Sequence, residues 1–189
     1  GSLKAVQLPG GEITTDPAKS VTMGSMFLTA GSASGSFTGS LATVGTAWNM
    51  DRVTNVSSMF QTGRTAPSSC ANWNLSNCTT FYRFARQNYY FDADMSGWTL
   101  PTTPFVMNEM FFGAAALSGT GMDAWVVTAC TDFRSFLNQD ISPGRANNFW
   151  NVNIGSWDIS NASGGITKMF EGCRVNNFGE TSGTNHNNI

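Results

Sequence analysis

Catalytic chemistry is hard to assemble from this chain of 189 residues. Its one histidine is His186, in a polar, Asn-rich stretch, so triads and His-built metal sites lack their central member. Two carboxylates suffice for glycoside hydrolysis. Asp92 and Asp94, in FDADM, share a face if that stretch is extended. The competing reading, adopted here, puts both in a turn where Asp oxygens accept backbone N–H groups. As a calcium site the pair is undersupplied with oxygens, of which about six or more are needed. No catalytic residue, metal or cofactor is therefore expected, and a polysaccharide-degrading enzyme built on Asp92 and Asp94 is the remote alternative.

Residues typical of binding surfaces are better represented. FYRFARQNYYF holds all three tyrosines, Tyr82, Tyr89 and Tyr90, with Arg83 and Arg86, and SPGRANNFWNVN carries Phe149 and Trp150. Tyr, Trp and Arg are enriched where surfaces recognise partners; the alternative is local packing of loop aromatics on the chain beneath. Charged residues make up 12% of the chain, with 10 Lys and Arg against 12 Asp and Glu. That is about half the usual share and leaves no electrostatic footprint for nucleic acid or an anionic membrane. No apolar run reaches the roughly 18 residues of a membrane span.

The elements that must position these residues emerge from the tryptophans. Trp48, Trp73, Trp98, Trp125 and Trp157 are spaced by 25, 25, 27 and 32 residues, a period that signals stacked supersecondary units. With each Trp as zero, position +2 is Met50, Leu75, Leu100, Val127 and Ile159. Position +5 is Val53, Cys78 and Cys130; +8 is Val56, Phe81 and Phe133; +11 is Met59, Phe84 and Phe136. The stretches after Trp98 and Trp157 run one residue longer. Upstream, −3 is Cys70, Met95, Met122 and Ile154. This frame predicts a leucine-rich-repeat-like repeat solenoid of about six coils. Each coil should carry a short parallel strand at its Trp and return through loops or short helical turns.

In that frame the tryptophans are core, and the outward neighbours form a ladder of small polar groups. At +1 and +3 it includes Asn49, Asp51, Asn74, Ser76, Thr99, Thr128, Asp158 and Ser160, interrupted by Val126 and Pro101. Solenoids bind along such faces, so these residues join the aromatic clusters as candidate binding residues. Cys78 and Cys130 lie two coils apart, about 10 Å at one strand spacing per coil, which is beyond disulfide reach. All four cysteines, with Cys70 and Cys173, read as buried free thiols.

WNMDRVTNVSSMF, LNQDIS (Leu137 to Ser142) and NIGSWDISN (Asn153 to Asn161) resemble the BspA-like bacterial surface protein repeat, over roughly residues 20–175. The copy departs from that pattern at Thr103-Pro104 and at Ala85, where Phe is usual. One solenoid domain is expected over residues 4–179. It comprises a degenerate capping coil at 4–30, a flexible loop at 31–40 and five Trp-containing coils at 41–179, followed by a polar tail at 180–189. The resemblance implies extracellular display on a cell or virion surface and a non-enzymatic adhesion module of tail-fibre or envelope type. Its partner would be a protein or glycan on a cell surface. The alternative is a structural assembly subunit, a homo-oligomer or virion component whose flat face packs on copies of itself.

Overall fold

The computed structural model describes residues 20–29, 48–138, 149–150 and 152–175, with backbone alone for 149–150 and 174–175. The loop expected at 31–40, the tail at 180–189 with His186, most of the capping coil at 4–30, and the side chains of Phe149 and Trp150 lie outside the described residues.

Six short strands occur among the described residues: β1 (Val21–Thr22), β2 (Val53–Asn55), β3 (Phe105–Val106), β4 (Cys130–Asp132), β5 (Phe149–Trp150) and β6 (Arg174–Val175). They pair in parallel as β1–β2, β3–β4 and β5–β6. Isolated bridges join the first four, from Asn55 to Thr80 and from Thr80 to Val106, and a last one runs from Asp132 to Gly165. Together with Thr22–Asn55 and Val106–Asp132, they make one ladder through Thr22, Asn55, Thr80, Val106, Asp132 and Gly165. Each rung is one sequence repeat further on.

The ladder continues beyond the strands because the backbone divides its donors between two tasks. Val56, Ser58, Phe60 and Thr62 donate to the carbonyls of Thr80, Tyr82, Phe84 and Arg86 at 3.2, 2.9, 2.7 and 2.8 Å. Between them, Met59, Gln61 and Gly63 donate three residues back, to Val56, Ser58 and Phe60. Alternate N–H groups thus tie repeat to repeat while the others close tight turns, so a compact loop leaves few backbone donors unpaired. The geometry forces some residues into the left-handed region. Ser58, Thr62, Arg83, Gln87, Glu109, Ser135 and Lys168 all have φ between 52° and 59°, matching the third residue of a type II turn. That conformation costs a non-glycine residue about 1 kcal/mol and is offset here by the ladder bonds.

The tryptophans stack into a column. Trp48, Trp73, Trp98 and Trp125 lie within 13° of parallel to the next ring, at 5.9, 5.9, 5.2 and 6.0 Å, the last step reaching Trp157. Phe27 extends the column beyond Trp48 at 5.5 Å. Three of the indoles also have a polar duty. The Nε1–H groups of Trp98, Trp125 and Trp157 donate to the carbonyls of Cys70, Met95 and Met122 at 3.0, 3.3 and 2.9 Å. Those carbonyls are the −3 positions of the preceding repeats, where they also accept the N–H of Trp73, Trp98 and Trp125, so a Phe would stack there but give up the second bond that ties one repeat to the next.

The inward positions counted from the sequence are buried at +2, +5, +8 and +11 through the Trp125 repeat. Trp157, Ile154 and Ile159 are only partly buried, because Trp157 has no following indole among the described residues. Two further expectations, the place of the strands and the facing of Pro101, differ. β2, β3 and β4 lie five to eight residues after the Trp, and beside the Trp itself the described pairing is a single parallel bridge, from Asn74 to Thr99, since Asn49, Asn74 and Asp158 turn the chain there by accepting the N–H two residues on. The returns, expected as loops or short helical turns, are consecutive turns, and the one helical element among the described residues is a 3-10 turn at Met122–Ala124. Pro101, expected to face outward, is buried. Close stacking also fixes Gly121, at φ 86°, where a Cβ would collide with the Ser96 backbone.

The missing Phe at Ala85 is replaced from elsewhere in the chain. Phe60 and Phe111 hold the +12 position in the repeats before and after, and the fully buried Phe91 lies 5.6 Å from one and 5.8 Å from the other. The chain runs six residues past the vacancy and returns a ring to it. Asn88 holds this detour, donating to the carbonyls of Phe60 and Thr65 at 3.0 Å each and accepting from Tyr90 N–H.

Cys70, Cys78, Cys130 and Cys173 are unpaired, the first three buried. Burial pushes those three thiols up from 9.0 to about 12.

Two outcomes follow. Phe91→Ala should cost about 3–5 kcal/mol in urea unfolding and Ala85→Phe about 1–3 kcal/mol by overpacking. The double variant should be more stable than the sum of these costs, by at least about 0.5 kcal/mol; strict additivity would show that Phe91 does not fill the vacated place. Unfolded thiols ionise near 9.0 while the buried ones hold their protons to about 12. Their contribution is therefore intact below pH 9 and lost as pH rises from 9 to 12, so the unfolding midpoint should fall across that window, and fall less in a Cys78→Ala, Cys130→Ala variant.

Candidate binding surface

The aromatic–arginine cluster is partly assembled. Arg83 grips Glu109 with two bonds, Nε to Oε2 at 3.0 Å and Nη2 to Oε1 at 3.3 Å, and Arg86 Nε lies 2.8 Å from the same carboxylate. The Arg83 guanidinium lies 4.5 Å from the Tyr82 ring centroid and that of Arg86 4.9 Å from Phe112. Two cations thus share one anion across adjacent repeats, between two ring faces. Tyr89 is half-buried and Tyr90 is 57% exposed; Tyr90 makes no contact with this cluster among the described residues. Glu109 and Phe112 escaped the sequence reading, although both face the arginines from one repeat further on.

The polar ladder is partly committed to the fold. Asn49, Asn74 and Asp158 are outward-facing, but their Oδ1 atoms close turns onto Asp51, Ser76 and Ser160 N–H at 2.9, 3.2 and 3.0 Å. The Ser160 backbone bond, helped by its hydroxyl, holds the Asp158 carboxyl below its usual range. Thr128 and Asp51 lend their carbonyls to the Asn161 and Asn77 amides of the next repeats, at 2.9 and 2.6 Å. Thr99 and Val126 stand exposed.

Beside this ladder the unequal loop lengths open a groove. The Trp98 and Trp157 repeats each carry an extra residue and the Trp125 repeat between them does not. The two longer loops rise on either side of the shorter one. The resulting groove, about 540 Å³, has Thr102 and Pro104 on one wall, Ala129 and Thr131 on its floor, and Ser160, Asn161, Ala162 and Ser163 on the other wall. No charged side chain lines it. Of the sequence candidates Ser160 alone lies in it; Thr102 and Asn161 were missed, although the loop-length difference was visible.

Asp92 and Asp94 act as backbone acceptors. Asp92 Oδ1 takes Ser118 N–H at 2.8 Å from the following repeat, and Asp94 Oδ1 takes Ser96 N–H at 2.9 Å. Among the described residues no group of three or more His, Cys, Asp or Glu side chains could hold a metal ion. No helix among them is long and apolar enough to cross a membrane.

No curated protein and no solved structure matches the chain. One family does, over residues 21–143 and again over 103–183, and the two overlapping placements accord with the internal repetition. The chain belongs to the family described as Mycoplasma protein of unknown function, DUF285.

Proposed function

We propose that this chain is a leucine-rich-repeat-like solenoid displayed on a cell envelope or virion surface. In this reading it is a non-enzymatic module that binds a glycan or protein receptor. The parallel ladder and the tryptophan column support the solenoid reading, and the BspA-like resemblance of the WNMDRVTNVSSMF and NIGSWDISN segments supports surface display. The observation that carries the binding role is the uncharged groove between the two long loops, lined by Thr102, Thr131, Ser160, Asn161 and Ser163. Hydroxyl and amide groups flanked by Pro104 and two alanines suit a neutral, hydroxyl-rich ligand, which offers both donors and apolar C–H faces. Insertions that cluster on one face of a repeat array mark its binding side. A saccharide is the preferred ligand, because the groove has no cation to select an anionic peptide.

The test is a glycan array followed by calorimetry with the best ligand. Thr102→Arg and Ser163→Arg, both at exposed positions, should fill the groove and weaken binding at least tenfold, about 1.4 kcal/mol, with the unfolding midpoint unchanged. Arg83→Ala should leave affinity intact. Retained affinity in both groove variants, with loss in Arg83→Ala, would move the site to the Tyr82 cluster.

A further inference from the structure

One position of the repeat changes its chemistry inside the uncharged groove. At +4, Asn77 and Asn161 each reach back one repeat, their Nδ2 groups donating to the carbonyls of Asp51 and Thr128 at 2.6 and 2.9 Å. Both acceptors stand at +3 of the preceding repeat. In the Trp125 repeat the +4 position is Ala129, whose methyl group carries no donor. The stretch it faces is 101–104, joined to it at Phe105, whose N–H donates to the Ala129 carbonyl at 3.3 Å. The carbonyls of 101–104 accept no hydrogen bond among the described residues. The groove lies at this spot, with Thr102 and Pro104 on one wall, Ala129 on the floor and Asn161 on the other wall.

The neighbouring repeats place a neutral planar amide in the corresponding position. An acceptor without a protein donor calls for a donor on the ligand. Pro104, Ala129 and Ala162 set apolar surface beside it, which suits a methyl group. No charged side chain lines the groove, so neither an ammonium nor a carboxylate finds a counter-ion there. An acetamido group supplies an N–H, a carbonyl and a methyl with no net charge. Seated over Ala129, it lies one rung, about 4.8 Å, from the Asn161 amide, the interval at which amides stack into ladders.

We propose that the groove selects N-acetylated amino sugars, the acetamido group of the ligand taking the place that Asn77 and Asn161 fill in their own repeats. The inference rests on the saccharide reading above and names the class of saccharide. Ala129 is then the residue that sets specificity, because its short side chain leaves both the space and the acceptor to the ligand.

Calorimetry on the full chain with two matched pairs of sugars tests it: N,N′-diacetylchitobiose against cellobiose, and N-acetyllactosamine against lactose. In each pair the acetamido groups of one member are hydroxyls in the other. The wild type should bind the acetamido member of at least one pair at least tenfold more tightly. Ala129→Asn should abolish that preference and, by supplying the amide from the chain itself, raise the unfolding midpoint. Ala129→Leu, which fills the same space without a donor, should abolish binding with no such rise. Equal affinity within both pairs would overturn the inference and leave the saccharide reading standing. So would an Ala129→Asn chain that keeps the preference or whose midpoint does not rise. Binding of none of these sugars would overturn it as well, and the glycan array then decides the wider reading: hits without acetamido groups keep it, and a blank array removes it.

Discussion

Every repeat in this protein must be one backbone rung tall, and the rest of the structure depends on that constraint. Parallel chains joined by hydrogen bonds sit about 4.8 Å apart. The indole centroids are 5.2–6.0 Å apart and nearly parallel, so the rings must slide sideways to reconcile the two intervals. Offset stacking is the arrangement that the charge distribution of aromatic rings favours. The same height brings the indole N–H of Trp98, Trp125 and Trp157 to a carbonyl of the preceding repeat. Backbone, ring faces and ring donors are therefore satisfied by one translation, which is why residue types at a fixed phase recur while the rest of the sequence drifts.

Length differences between repeats are absorbed where they do not disturb that translation. The partners of Phe105 and Val106, Cys130 and Asp132, are two residues apart, so Thr131 bulges out of register. The four-residue stretch 101–104 ahead of this pair is longer than its counterpart, and the skip at Thr131 repeats one at Thr54, where β2 meets β1. Core positions downstream fall back into phase at Met107, Met110 and Phe111, all buried. The displaced material accumulates on the outside, as the walls of the uncharged groove. A single arithmetic mismatch thus leaves the interior uniform and gives the exterior its relief.

The phase of the core was legible from the tryptophans, because burial at +2, +5, +8 and +11 is a local consequence of spacing. What escaped was whatever depends on two repeats at once. Phe91 standing in for the absent ring at Ala85 could not be read from the period, since its own position belongs to no inward series. Glu109 is unremarkable until Arg83 and Arg86 are seen to face it. The strands were misplaced for a different reason. Asn49, Asn74 and Asp158 looked like solvent-facing ladder residues, yet their oxygens bend the chain by capturing the N–H two residues on, so pairing beside the Trp is reduced to the Asn74–Thr99 bridge and β2, β3 and β4 lie further along. The groove residues Thr102 and Asn161 were hidden in the same way, because only the contrast between neighbouring loops gives them a role.

The tryptophan column has an optical consequence. Five indoles held nearly parallel, face to face, at separations comparable to their own width cannot absorb light independently. Their transition dipoles couple, so the column responds to light as a unit. Energy absorbed anywhere along Trp48 to Trp157 can pass down the stack and emerge from its half-exposed terminal ring. The folded chain thus carries a built-in chromophore array whose near-ultraviolet circular dichroism and emission depend on the continuity of the stack.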